Sequence, residues 1–188
     1  MLSRQTYLDI VNAHIKNKNL VKHCLAVEAA MRALAKHFGE DEEVWGLAGL
    51  IHDADWEEMA QDIAGHTKKT ITYLIEAGET EQRILDTVLT HNYTRNGYRA
   101  PESKLEWALY TCDELTGLIV ATALVRPEKK LSAVTATAVL KKFPQKSFAA
   151  GVDREQISLC EEKLGIPLAQ FVEIVLQGMQ DSHEALGL

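Results

Sequence analysis

This 188-residue chain has little of what marks a secreted, membrane-spanning or nucleic-acid-binding protein. Its cysteines are Cys24, Cys112 and Cys160, an odd number with no Cys-x-x-Cys pair. That argues against a disulfide framework and for a reducing, cytoplasmic setting. No stretch approaches the roughly 20 apolar residues that a membrane span needs. The N-terminus lacks the basic segment and apolar run of a signal peptide. Positive charge is in deficit, 20 Lys+Arg against 27 Asp+Glu for a net charge of -7, which argues against general nucleic-acid binding. A local basic pocket for a small phosphate ester remains compatible with that balance. Alternating strand patterns, repeats, low-complexity tracts and clear linkers are all missing. Only residues 134–139, rich in β-branched side chains, suit either a strand or a helix.

What is present reads as helix almost throughout. A composition of 46% hydrophobic and 25% charged residues is ordinary for a globular protein, and the length suits one domain over residues 1–188. Ser3 precedes a helical stripe of Tyr7, Val11 and Ile15. Residues 21–38 carry His23, Val27, Met31 and Leu34 on one face, with Gly39 as a stop. Asp41 suits the cap of the next helix, which runs to His52 and Asp53. Further helices are expected near Ile71 to Gly78 and over about 80–91. The loop 92–101 separates them from a long apolar helix over 104–125, closed by Pro127. Ser132 is read as the start of a helix ending near Pro144. Asp153 to Gln156 carries a capping-box signal for a helix that stops near Gly165, and Pro167 suits the first turn of the last one. The fold class expected is all-α. Nothing in the sequence fixes the oligomeric state, and a homo-oligomer is compatible with it.

Within this pattern four ionisable residues fall in or beside apolar stretches: His23, the adjacent pair His52-Asp53, and Asp113. A buried ionisable group is costly unless it is paired or bound to a metal. Asp113 lies mid-helix, and no Arg or Lys stands within one turn of it. Two imidazoles and two carboxylates can hold one divalent transition metal and leave positions for water and substrate. His66 reads alternatively as a helix-start residue after Gly65, and His91 as a polar residue near a helix C-terminus. Cys24 and Cys112 adjoin proposed ligands, but neighbours on a helix diverge by about 100°, so they are expected to pack rather than ligate.

The order His23, His52-Asp53, Asp113 on a helical chain resembles the HD superfamily of metal-dependent phosphohydrolases. The resemblance extends through the His91 region, the run 113–120, and the stretches 126–131 and 148–152, which look like one bacterial HD-domain subgroup. It implies that His23, His52, Asp53 and Asp113 are metal ligands for a divalent ion (Mn, Fe, Co, Ni, Zn or Mg), with Asp53 also able to bridge to a second metal. His66 and His91 match extra histidines that complete a two-metal site in some members. Asp53, His66 and His91 are then the catalytic set. The HD-GYP type is not matched: Ala54-Asp55-Trp56 replaces Ile-Gly-Lys, Asn92 follows His91, and no Gly-Tyr-Pro occurs. A cyclic dinucleotide is therefore not implied.

The activity implied is hydrolysis of a phosphate ester in a small phosphorylated molecule, nucleotides among them, by a metal-activated water. The alternatives are a metal-retaining HD module that senses a ligand or binds a partner, and the oxygenase chemistry of a few two-iron HD-type folds. Arg95 and Arg99, with Tyr93 and Tyr98 interleaved, are the expected phosphate and base contacts. Arg126, Lys129 and Lys130 follow the Asp113 helix as a charge run that is solvated by default. Glu57 and Glu58 are read as a solvated face, and no role falls to His14, His37 or His183.

Overall fold

A computed structural model describes residues 1–188. Helix α1 (Arg4–His14) starts where the Ser3 hydroxyl accepts the Thr6 N–H, as its sequence predicts. Helix α2 (Lys18–Phe38) begins three residues earlier than its apolar stripe suggests, because Asn17 caps it, and ends at Gly39 in the left-handed conformation. Asp41 caps α3 (Glu42–Ile51) through the Glu43 and Val44 N–H groups. Then come α4 (Trp56–Met59), α5 (Lys68–Glu76), α6 (Gln82–His91), α7 (Tyr93–Asn96) and α8 (Lys104–Leu124). A full capping box between Ser103 and Glu106 starts α8. The later helices are α9 (Ala136–Lys142), α10 (Arg154–Leu159), α11 (Leu168–Asp181) and α12 (His183–Leu186). There is no strand.

Three local expectations need correction. Residues 131–133 form only a 3-10 turn, and α9 starts after Thr135, whose hydroxyl takes the Ala138 N–H. The segment 134–139 thus resolves as a cap and a helix. The loop 92–101 carries the short α7. Asp153 caps α10, but the Gln156 amide donates to the Tyr110 carbonyl instead of closing the box. Past Leu159 the helix widens into a π turn, Cys160–Leu164, which ends at Gly165.

Helix α2 forms the centre of the fold, packed by α3, α8 and α11, with α6 and α10 against α8. One contiguous cluster of 43 buried apolar residues runs from Tyr7 to Leu186. Each fully buried leucine or isoleucine contributes about 1.5–3 kcal/mol against exposure. Gly49 lets α2 and α3 come together: a Cβ there would stand 2.8 Å from the Val27 carbonyl oxygen and 2.9 Å from Met31 Cγ. This contact places the end of α3, where His52 sits, beside the second turn of α2, where His23 sits. All three cysteines are buried and free.

Candidate metal centre

Six side chains from five segments meet in one place. His23 comes from α2, His52 from the C-cap of α3, Asp53 from the next position, His66 from the α4–α5 connection, His91 from the last position of α6, and Asp113 from the middle of α8. All four residues proposed as ligands, and both extra histidines, are among them. No lysine or arginine lies within ion-pair distance of Asp53 or Asp113; histidines alone face them.

The distances divide the cluster in two. Asp53 Oδ2 lies 3.7 Å from His23 Nε2 and 3.5 Å from His52 Nε2, while Asp113 Oδ1 lies 2.9 Å and 3.5 Å from the same two nitrogens. On the other side, Asp53 Oδ1 lies 3.1 Å from His66 Nε2 and 3.4 Å from His91 Nε2. Asp113 Oδ2 is 3.7 Å from His91 Nδ1. Adjacent ligands of an octahedral ion stand about 3 Å apart when the bonds are about 2.1 Å. Asp53 therefore turns one oxygen toward each pair of imidazoles.

Hydrogen bonding alone does not satisfy this cluster. His52 Nε2, Asp53 Oδ1, His66 Nε2 and His91 Nδ1 are buried and without a hydrogen-bond partner. Buried polar atoms are rarely left so, and each costs about 1–3 kcal/mol. The donor atoms of His23, His52 and Asp113, and those of His52, Asp53 and His91, lie within 4.8 Å of one another in each set, close enough to hold a cation. Two imidazoles are already oriented for it. The His52 Nδ1–H donates to the Gly49 carbonyl at 2.7 Å, which leaves Nε2 as a lone pair facing the cluster. His66 is fixed in the same sense by a carboxylate that sequence reasoning passed over, Asp55.

Asp55 is fully buried, and its oxygens accept four hydrogen bonds. Oδ1 takes His66 Nδ1–H at 2.6 Å and the Thr67 N–H at 3.2 Å; Oδ2 takes the Lys69 and Thr70 N–H groups, each at 3.1 Å. The same carboxylate thus caps α5 and sets the His66 tautomer. Thr67, between the two, has φ +80°. That is unusual for a β-branched residue and costs about 1–3 kcal/mol. Its buried hydroxyl accepts from Asn96 Nδ2 at 3.0 Å, and Asn92 Nδ2 donates to the Ile63 carbonyl at 2.7 Å. These bonds tie the His66 turn to the end of α6, where His91 sits. The aspartate two positions after His52-Asp53 was the available sequence signal.

The charges are mutually dependent. Burial pulls the His52 imidazole down, but the neighbouring carboxylates of Asp53 and Asp113 raise it well above its usual value. Burial opposes ionisation of Asp53 and Asp113. The histidines around them outweigh it, and both carboxyls fall well below the usual range. Burial also lowers His66, yet Asp53 and Asp55 lift it to about 9. A divalent cation bound to these imidazoles and carboxylates would compete with protons for the same atoms.

The centre opens into a cleft of about 490 Å³. Arg95, read from the sequence as a phosphate contact, lines it. Arg99 does not. Its guanidinium is taken up by Glu106 and lies 3.6 Å from Asp86, so it secures the start of α8. The Tyr98 hydroxyl also turns to Asp86, and the Tyr93 ring packs on Tyr110. Tyr110 and Trp56 both line the cleft; the Trp56 ring stands edge-on to His66 at 4.8 Å and is 37% exposed. Glu58 is exposed, as read from the sequence, and Glu57 is half-buried, and both also make polar contacts. Glu57 accepts the Lys16 and Asn17 N–H groups, and Glu58 binds His14 and Lys69 at 2.9 Å each. His14 also stacks on Tyr73 at 3.6 Å. Glu114 lines the cleft as well, and burial, with the Asp113 charge, pushes its carboxyl to about 7.

The HD domain profile matches residues 20–124, more than half of the chain and the whole span from His23 to Asp113. The chain belongs to the HD domain family. This HD domain, of the metal-dependent phosphohydrolase type, has its family match on α2 through α8, while α9 to α12 lie outside it. Among curated proteins no sequence matches the chain. No helix of this HD domain is long and apolar enough to cross a membrane.

Proposed function

We propose that this HD domain hydrolyses a phosphate ester of a small molecule with the help of one or two divalent ions. The observation that carries the reading is the set of four buried, unpartnered ligand atoms on His52, Asp53, His66 and His91, with no lysine or arginine to neutralise the carboxylates. His23, His52, Asp53 and Asp113 would hold the first ion, and Asp53 with His91 and His66 would serve a second; the closest donor groups are His23, His52, Asp113 and His52, Asp53, His91. Their mixed nitrogen and oxygen donors suit Mn, Fe, Co, Ni or Zn better than Ca. Such an ion supplies Lewis acidity toward a phosphoryl oxygen and lowers the pKa of a water.

The residues of the chain do the rest. Arg95 grips the phosphate at the cleft. Asp53 accepts the proton of the attacking water, whose oxygen bonds to phosphorus as the bond to the leaving oxygen breaks. His66, held by Asp55, delivers a proton to that oxygen where no second ion occupies its Nε2. Trp56 and Ile63, both exposed at the cleft, offer an apolar face to a base, so nucleotides are the first class to test. The experiment is phosphate release from 4-nitrophenyl phosphate and a nucleotide panel, with added Mn²⁺ and with chelator. Metal-dependent release is expected. Tight metal binding with no turnover across the panel would make the protein a ligand-sensing module instead.

A further inference from the structure

Two cavities meet at the metal centre. One is the cleft that holds Arg95 and Trp56. The other, about 570 Å³, lies beyond His23 and Gly117, which line both. That volume is in the range of ligand pockets. Its walls include Ala26 of α2, Val120 and Leu124 of α8, and Leu186 of α12, with Lys22 and Lys129 also lining it. Gly117 keeps the passage open: a Cβ there would meet nothing nearer than Val152 Cγ2, at 3.6 Å. His23 is the partition, with Nε2 committed to Asp113 at 2.9 Å and Nδ1 turned to Thr116 at 3.4 Å.

Leu186 and Lys129 lie outside residues 20–124, so the groove is an addition to the family-matched core. Its walls, Leu188 among them, give it a mainly apolar surface, with Asn19, Lys22 and Lys129 as further lining side chains, so a chain of methylenes would be covered on several sides. Leu124, in the wall of the groove, is 49% exposed. A substituent lying on it would remove that apolar surface from water.

Resting on the phosphohydrolase reading, we propose that this groove is a second arm of the substrate site. It takes an aliphatic substituent carried by the phosphate that reacts at the metal centre. The substrate class is then an amphiphilic phosphate ester or diester.

The test uses methylphosphonate and hexylphosphonate, which are not hydrolysed, titrated calorimetrically into the Mn²⁺-loaded full chain. A fully buried methylene is worth about fourfold in affinity. With five added and not all fully covered, the hexyl-to-methyl ratio should be at least about thirtyfold. In Leu124→Glu, a change at an exposed helix position with circular dichroism as the folding control, the ratio should fall toward one. In Trp56→Ala it should persist. A ratio near one in the wild type overturns the proposal. So does a ratio that survives Leu124→Glu and collapses in Trp56→Ala, which would put the chain in the outer cleft. A flat ratio with intact methylphosphonate binding counts against the groove alone. No phosphonate binding, together with no metal-dependent phosphate release, counts against the phosphohydrolase reading and takes the groove with it.

Discussion

Asp55 accepts the Nδ1 proton of His66 at 2.6 Å, and His66 Nε2 in turn stands 3.1 Å from Asp53 Oδ1. A buried carboxylate with no path to the cleft thus decides which nitrogen of His66 faces the metal centre. It does so while holding three backbone N–H groups at the start of α5.

Asp55→Asn should keep much of the helix cap, because asparagine also caps well. It should lose the charged acceptor that fixes the imidazole. Partners of this kind change metal affinity by about 10–100-fold when removed. We expect a loss in that range by metal titration, and loss of the single Nδ1–H tautomer of His66 in nitrogen NMR. Unchanged affinity with an unchanged tautomer would reduce Asp55 to a helix cap.

Asp53→Ala should abolish metal-dependent phosphate release with helical content near wild type, since Asp53 lies past the end of α3 and faces the cluster rather than the core. Asp113→Ala should also abolish it and should weaken the thermal stabilisation that added Mn²⁺ gives the wild type, because an ion bound only by the folded state stabilises that state. Release that survives Asp53→Ala, or that ignores a chelator, contradicts the mechanism.

Arg95 and Arg99 should separate cleanly. Arg95→Ala should raise KM with a smaller change in kcat, if its grip is equal in the ground and transition states. Arg99→Ala should leave both near wild type and cost roughly 1 kcal/mol of stability, the upper end for a partly exposed ion pair. A kinetic defect in Arg99→Ala with no change in stability would reverse the assignment.

The helices were legible in the sequence because caps and stripes are local. Ser3, Asp41 and Gly39 act within a turn of where they stand; the Ser103/Glu106 box is equally local but was not read from the sequence. The cluster was legible for a different reason: a carboxylate such as Asp113 in an apolar helix has few affordable partners. What was not legible depended on contacts between distant segments. Arg95 and Arg99 share a loop and a residue type, and only the position of Glu106 tells them apart. Glu57 looks like solvated charge until the α1–α2 loop, with its Lys16 and Asn17 N–H groups, is laid across it. Trp56 gave no sign of facing the cleft, because a single aromatic has no period.

Acid stability offers a test away from the metal centre. Burial opposes ionisation of Glu79, but the Leu2 N–H, the Tyr7 hydroxyl and the Glu81 and Thr80 N–H groups outweigh it and lower its pKa to about 2. A depressed carboxylate contributes stability that is present above the unfolded value, about 4.5, and is lost as pH falls through the folded one. The stability difference between the wild type and Glu79→Gln should therefore be largest above pH 4.5 and shrink steadily toward pH 2. Denaturant titrations at intervals across that window measure it. A difference that stays constant with pH would mean that Glu79 holds α1 by packing alone.

Gly49 has a consequence for how far the centre can tolerate change. The Val27 carbonyl and the Met31 side chain leave no space for one more carbon at that position. The gap between His23 and His52 is thus gauged by a hydrogen atom three residues before His52. Adding a methyl at residue 49 would act as a wedge between two helices and would detune the metal centre without touching any residue that belongs to it.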